Sequence, residues 1–162
     1  MNRSVSSLIA ETECLVSADG AHIREANGRA AAPETTRQKE LIVRYAGNPI
    51  LTSADWPYPI NVTFNPAATL LKDGTTVLLC RIEDRRGSSH LCVARSKDGL
   101  ENWEIDPVPS LAPDPIAHPE EAWGIEDARI TYLEEMDRYA IAYTSYCPTG
   151  PGVSLALTSD FR

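Results

Sequence analysis

The fold is indicated by one stretch, residues 67–81, which reads Ala-Ala-Thr-Leu-Leu-Lys-Asp-Gly-Thr-Thr-Val-Leu-Leu-Cys-Arg. Two mainly apolar runs flank the turn Lys72-Asp73-Gly74, a pattern typical of a β-hairpin. Going outward, the sequence predicts a third strand over residues 90–95 and a short fourth over residues 103–105. Together these segments predict a meander of four antiparallel strands.

The same pattern returns 62 residues further on. Strands are predicted over residues 129–133, 138–143 and 153–157, and an alignment without gaps places Asn65 on Asp127. Repeats built from about four antiparallel strands are typical of the blades of a β-propeller. The alternative is that two unrelated meanders match by coincidence.

The two copies predict an all-β chain with about two four-stranded blades of a larger propeller, because propellers close with about four to eight blades. The second copy reaches Arg162 before a counterpart of the fourth strand, so we expect a chain that stops within a blade. Two blades leave an open edge, which favours pairing with another chain. Residues 1–40 show no lasting alternation and are expected to form a flexible extension or a short helix, with the propeller domain over residues 41–162.

Composition argues against several partner classes. The net charge of -8 disfavours nucleic acid and anionic membranes. The sequence contains no apolar run as long as a membrane span, and its N-terminus does not resemble a secretory signal. Four cysteines without a C-x-x-C pair and three scattered histidines argue against a metal site. Cys80 and Cys92 lie in apolar runs and are expected to be buried thiols, which favours a cytoplasmic location.

The second copy begins with a segment rich in acidic side chains, residues 120–129, which holds four carboxylates, a Trp and a Gly. Glycosyl transfer needs a carboxylic acid that protonates the leaving oxygen. Asp127 is the candidate for that acid, and we expect Asp127 and Asn65 to open the inner strands of the two blades. The alternative is that Asp127 pairs with Arg129 and anchors a strand.

Other side chains are candidates for binding a sugar. Alternation places Arg81 and Glu83 on one face of a strand. Arg81 either donates to sugar hydroxyl groups or holds the geometry of the acid, and the alternative is a solvated loop of ion pairs. Trp56 and Tyr58 suit either stacking on a sugar ring or covering a blade.

These segments together resemble glycoside hydrolase family 130, the β-mannoside phosphorylases and related hydrolases. The matching segments are residues 44–50, 64–67, 81–87, 89–91, 94–99, 123–130 and 143–144. The resemblance implies a five-bladed propeller in which Asp127 is the general acid, acting through the 3-hydroxyl of the mannosyl unit. It also implies that Asn65 and Arg81 hold that sugar. Glu83, Glu126 and Trp123, which lie in the matching motifs, complete the predicted substrate-binding set.

The resemblance implies an inverting reaction in which inorganic phosphate attacks the anomeric carbon of a β-mannoside and yields α-mannose 1-phosphate. No metal or other cofactor is expected. A β-mannoside hydrolase of the same family is the alternative, and a non-catalytic sugar-binding segment is another. The family's phosphate-binding Arg, Lys and His lie in later blades, and Ala128 stands where the family usually has Pro. The sequence therefore leaves open whether phosphate or water is the nucleophile.

Overall fold

The computed structural model describes residues 41–162, so the extension predicted over residues 1–40 lies outside the described residues. The described part is built of seven strands and three short 3-10 turns, with no α-helix in that range. The strands are β1 (Val62–Leu70), β2 (Thr76–Glu83), β3 (Ser89–Ser96), β4 (Glu104–Ile105), β5 (Gly124–Leu133), β6 (Arg138–Cys147) and β7 (Gly150–Thr158). The 3-10 turns cover Ser53–Asp55, Pro119–Glu121 and Glu134–Met136. The all-β prediction is confirmed, and the same residues include no helix that could cross a bilayer.

The strands form two antiparallel units, which we call the first blade (β1–β4) and the second blade (β5–β7). The two blades join at one parallel pair, Ser89 with Gly124. The predicted hairpins are present, and most strands extend beyond their predicted ends. The residues around these ends include the candidate site.

An apolar core fills the space between the two blades. The first blade contributes Ala67, Val77, Leu79, Leu91 and Val93, and the second contributes Ile125, Ala128, Tyr139, Ile141, Tyr143 and Phe161. Burying an aliphatic side chain of this size contributes about 1.5–3 kcal/mol to folding. This layer therefore holds the two blades against each other and fixes where their inner strands meet.

A second core covers the other face of the first blade. Trp56 and Ile60 pack there on Ile82, Cys80 and Cys92. The buried Trp56 donates a hydrogen bond from Nε1 to the Tyr58 hydroxyl over 3.3 Å. The two aromatic residues therefore belong to a cover over a blade. Cys80 and Cys92 are buried free thiols, as predicted.

The alignment of the two copies without gaps is wrong for one pair of equivalent strands, β2 and β6. Leu70 pairs with Thr76 across the first turn of the first blade. The corresponding turn of the second blade runs from Tyr132 to its partner Tyr139, and so contains one more residue. The next turn is one residue shorter in the second blade, which returns β7 to the original spacing.

The faces of β2 and β6 show the consequence of this one-residue shift. Val77 and Tyr139 are 62 positions apart, yet both point into the core between the blades. Because that core is lined by opposite faces of the two blades, these residues are not equivalent. The residue equivalent to Tyr139 is Thr76, since a shift of one position moves every side chain of a strand to the other face.

Candidate active site

The candidate site begins with two β-bulges at matching positions. The pairing of β1 with β2 shifts between Phe64 and Ala67, and that of β5 with β6 shifts between Glu126 and Arg129. Asn65 and Asp127 lie in these bulges with φ of 43° and 49°. Asn and Asp adopt this left-handed conformation more readily than most residues.

The expected position of these two residues needs a correction. β1 begins at Val62 and β5 at Gly124, so Asn65 and Asp127 lie three residues inside their strands. β1 pairs with β2, and β5 with β6, on both sides of the bulge, because a bulge interrupts the hydrogen-bond ladder over only a short distance. The bulge re-aims the two side chains towards each other.

The side chains of both blades converge on one oxygen of Asp127. Asn65 Nδ2 donates to Asp127 Oδ1 over 3.0 Å. Arg81 Nη1 donates to the same oxygen over 3.2 Å, and its Nη2 donates to Glu126 Oε1 over 2.8 Å. The structure thus brings together four of the six predicted site residues.

Arg81 is held from two further sides. Its Nε donates to the Ser89 hydroxyl over 3.0 Å, and its guanidinium carbon lies 4.5 Å from the centre of the Phe64 ring. A cation over an aromatic face gains about 0.5–2 kcal/mol, depending on how far it is desolvated. Only 14% of the Arg81 side chain is exposed, which excludes a solvated loop of ion pairs.

Sequence reasoning did not assign a role to Phe64 or Ser89. Phe64 is the direct cross-strand partner of Arg81. Had the predicted β1 begun early enough to include Phe64, the Phe64 ring would have been placed opposite the Arg81 guanidinium, since directly opposed residues share a face. Ser89 could not be found in this way because its bond to Arg81 is diagonal across the β2–β3 pair.

Gly124 allows the two blades to approach closely. Its φ is +120°, and a Cβ at this position would lie 2.7 Å from the Ser89 nitrogen and 2.9 Å from the Ser89 oxygen. Real Cβ atoms do not come this close to a backbone, and L-residues rarely adopt this φ. The absent side chain therefore lets β5 touch β3, which sets Glu126 and Asp127 beside Arg81.

The surroundings of Asp127 favour its ionised form. The Asn65 hydrogen bond lowers the pKa of the carboxyl below its ordinary value, and the bond and charge of Arg81 and the charge of Arg129 act in the same direction. Partial burial opposes them. Arg129 itself donates to the main-chain oxygens of Ala128 and Asp127. The alternative prediction, an ion pair between Asp127 and Arg129, is therefore wrong, and the partner of the Asp127 carboxylate is Arg81.

Trp123 and Glu83 lie beside this network. Half-exposed Trp123 packs its ring edge-to-face against Tyr146, with 5.2 Å between the ring centres. A cleft of about 380 Å³ is lined there by Arg86, Gly87, Ser88, Ala122, Trp123, Glu126 and Tyr146. Glu83 accepts a hydrogen bond from Asn61 Nδ2 over 2.9 Å at the end of β2. Trp123 thus borders a cleft that reaches Glu126, while the Glu83 carboxylate is bound to Asn61.

Metal ligands are not grouped in the part of the chain that the structure describes. Within residues 41–162, no three His, Cys, Asp or Glu side chains are placed to hold an ion together. The groups that converge at the candidate site are two carboxylates, an amide and a guanidinium.

Comparison with known proteins identifies the family. A family model described as beta-1,4-mannooligosaccharide phosphorylase, Glyco_hydro_130, matches residues 36–162. The chain belongs to glycoside hydrolase family 130. Its family neighbours are five-bladed propellers, so the two blades correspond to two of five.

Individual relatives agree with this family. The 4-O-beta-D-mannosyl-D-glucose phosphorylase of Bacteroides fragilis is 27% identical over an alignment of 157 residues. A crystal structure of a proposed glycoside hydrolase from Parabacteroides distasonis superposes with a TM-score of 0.62 and 29% identity. The match covers 74% of this chain and 39% of that protein. A second structure comes from work on family members that are glycoside hydrolases and target beta-1,2-mannosidic linkages in Candida mannan. It has 29% identity and a TM-score of 0.62, and covers 72% of this chain and 37% of its own.

The chain spans only part of these relatives. The alignment with the curated phosphorylase covers 86% of this chain and 36% of that protein. The candidate site lies within the residues that the family model matches, while most of each relative's length lies outside its alignment with this chain.

Proposed function

We propose that this protein cleaves β-mannosides by inverting phosphorolysis, with Asp127 as the proton donor. The observation that carries the proposal is the convergence of Asn65 and Arg81 on Asp127 Oδ1. Because both donors hold the same oxygen, we assign the transferable proton to Oδ2. One carboxyl of defined orientation is what a general acid requires.

In the proposed step, an oxygen of inorganic phosphate bonds to the anomeric carbon while the bond to the glycosidic oxygen breaks. The leaving oxygen gains the Asp127 proton through the 3-hydroxyl of the mannosyl unit, and the product is α-mannose 1-phosphate. Phosphate needs no general base, so a second carboxylate is not required, in contrast to an attack by water.

The pKa of Asp127 is lowered in the site when no sugar is bound. A bound mannosyl unit would offer its own hydroxyl groups to Asn65 and Arg81 and would exclude water. Both changes favour the protonated carboxyl, because the charged form loses donors and solvation. We propose that substrate binding in this way favours protonation of Asp127, which can then act as the acid.

The substrate in this proposal is a β-mannoside oligosaccharide. Asn65 and Arg81 hold the mannosyl unit, and the cleft beside Trp123 and Glu126 takes a neighbouring sugar ring. An aromatic face next to charged hydrogen-bonding groups suits the apolar and polar faces of a sugar. Glu83 contributes at the edge of the substrate site, where its carboxylate accepts a hydrogen bond from Asn61. A cytoplasmic location, with phosphate as co-substrate and no metal, completes the proposal.

Hydrolysis is the second candidate, because a relative with 29% identity comes from work on family members that are hydrolases. The two reactions differ in their products. Phosphorolysis releases mannose 1-phosphate only when phosphate is present, whereas hydrolysis releases mannose at a rate that phosphate leaves unchanged. A sugar-binding segment without catalysis would give neither product.

The test is Asp127→Asn, assayed with β-mannobiose and inorganic phosphate. The backbone should accept Asn, since Asn65 already adopts φ 43° in the matching bulge. Loss of the acid is expected to slow release of mannose 1-phosphate by roughly 10²–10⁴-fold in a variant that still folds. Its melting temperature should fall somewhat, because Asn lacks the charge that pairs with Arg81. Asp137→Asn is the matched control because Asp137 also has a left-handed backbone, with φ 51°, and is bonded to Lys72. Retained turnover in the Asp127 variant would contradict the assignment.

A further inference from the structure

The buried hydroxyl of Ser89 contacts Arg81. Ser89, at the start of β3, is 1% exposed, and its hydroxyl accepts the hydrogen bond from Arg81 Nε. Polar groups this deeply buried are costly to leave unpaired, so the bond is expected to persist. Ser89 therefore belongs to the surroundings of the guanidinium.

The position of Ser89 is fixed by neighbours on both sides. It pairs with Glu83 of β2 and with Gly124 of β5. The missing Cβ at Gly124 keeps the two backbones in contact. The main chain of three strands thus fixes the backbone of Ser89, and only one side-chain torsion remains to place its hydroxyl against Arg81.

The guanidinium is planar, so fixing Nε also restricts the directions of its two terminal nitrogens. With Nε on Ser89, Nη2 reaches Glu126 over 2.8 Å and Nη1 reaches Asp127 over 3.2 Å. The contact with Asp127 is the longer of the two. A guanidinium free to turn about its stem would favour Glu126 alone.

We infer that Ser89 is a positioning residue, whose hydroxyl orients Arg81 so that one guanidinium holds both Glu126 and Asp127. Its effect on turnover rests on the proposed function, while its effect on Arg81 and on the Asp127 titration does not. The charged groups that face Asp127 are Arg81 from β2 and Glu126 and Arg129 from its own strand, and β1 contributes the neutral Asn65. Only Arg81 among them is bonded to Ser89.

The experiment is Ser89→Ala in the 162-residue chain, followed by NMR of the Arg81 Nε–H and of the Asp127 carboxyl carbon. Loss of a hydrogen bond to a charged group corresponds to roughly tenfold in an equilibrium, so we expect Nε–H exchange about tenfold faster. The titration midpoint of Asp127 should move upward because Arg81 holds its charge less well.

Ser145→Ala is the matched control. Ser145 is equally buried, and its hydroxyl accepts from the Ser154 hydroxyl over 3.0 Å instead of from an arginine. This variant removes a buried hydroxyl from the second blade and should leave both signals unchanged. Should Ser89→Ala fail to fold, Ser89→Cys fills similar space with a weak acceptor and should show the same changes at smaller size.

Two results would overturn the inference. One is a folded Ser89→Ala chain with unchanged Nε–H exchange and an unchanged Asp127 midpoint, which would show a structural role only. The other is an equal response in Ser145→Ala. In a turnover assay, Ser89→Ala should raise KM for a β-mannoside more than it lowers kcat, because Arg81 binds the sugar. Absence of turnover in the parent protein would refute the proposed function and leave the NMR result valid.

Discussion

At Asp127, different neighbours set the backbone conformation and the charge of the side chain. The bulge in β5 gives the residue its left-handed φ, whereas Asn65 and Arg81 from the first blade stabilise its carboxylate. Its pKa is lowered, so the stability that these contacts contribute is present above the ordinary value of 3.8. That contribution is lost as the pH falls through the folded-state pKa.

Asn65→Gly is predicted to raise the pKa of Asp127, because the Asn65 amide is the largest of the groups that lower it. Glycine accepts φ 43° without strain, so the bulge should persist. The measurement is a carboxyl-carbon NMR titration of Asp127. Asn102→Gly serves as the control, since Asn102 also has a positive φ, 52°, and lies beside the turn before β4. An unchanged midpoint would assign the lowered pKa to Arg81 instead.

At the scale of the strands, the contact between β3 and β5 holds the site together. It consists of a single parallel pair, and Gly124 has no Cβ that would separate the two backbones. Asp127 is three residues further along β5, and Arg81 is diagonally opposite Ser89 on β2. Any displacement of β5 from β3 would therefore lengthen the bonds to Arg81.

Gly124→Ala is predicted to destabilise the chain through both strain and overlap. The positive φ alone costs an L-residue about 1–2 kcal/mol, and crowding against the Ser89 backbone adds roughly 1–3 kcal/mol. Gly150→Ala separates the two effects, because Gly150 has φ 110° and no neighbouring atom within 4 Å of the point that a Cβ would occupy. Urea unfolding of both variants gives the comparison. Equal losses would show that the close approach to Ser89 does not restrict residue 124.

At the scale of the whole molecule, no other strand among residues 41–162 covers the outer face of the second blade. Val153, Leu155 and Leu157 on β7 are 87%, 65% and 49% exposed, and β7 is the edge of the sheet formed by the described residues. In a closed propeller each blade packs on the next. Apolar side chains along an open edge favour contact with another chain.

We predict that the 162-residue chain associates with itself through β7 and that Leu155→Lys weakens this association. A charge in the middle of the apolar row opposes both edge pairing and face packing. Multi-angle light scattering should show a mean mass above 17.7 kDa for the parent and closer to it for the variant. Val108→Lys places the same charge at another exposed apolar residue and should leave the mass unchanged. A parent that is monomeric throughout would contradict the prediction.

Much of this fold follows from local patterns. The turn at Lys72-Asp73-Gly74, the alternation of β2 and the repeat were sufficient to predict two blades, and the match of Asn65 with Asp127 agrees with the two bulges. The extra residue in one turn of the second blade and the missing residue in the next were not predicted, because they cancel in a spacing of 62. Low identity between the copies gave no local signal for the shift.

The amino-acid sequence by itself determined the strand class, the order of the strands and the residue types of the site, because alternation and turn formation act between near neighbours. Only the tertiary structure decided which groups touch Asp127. Asn65 is 62 residues away and Arg81 is 46, and their approach depends on the packing of two blades across a shared core. The same packing requires Gly124, which sequence reasoning had noted only as part of a motif. The contact at Ser89 shows why: a residue without a side chain lets the second blade reach the first.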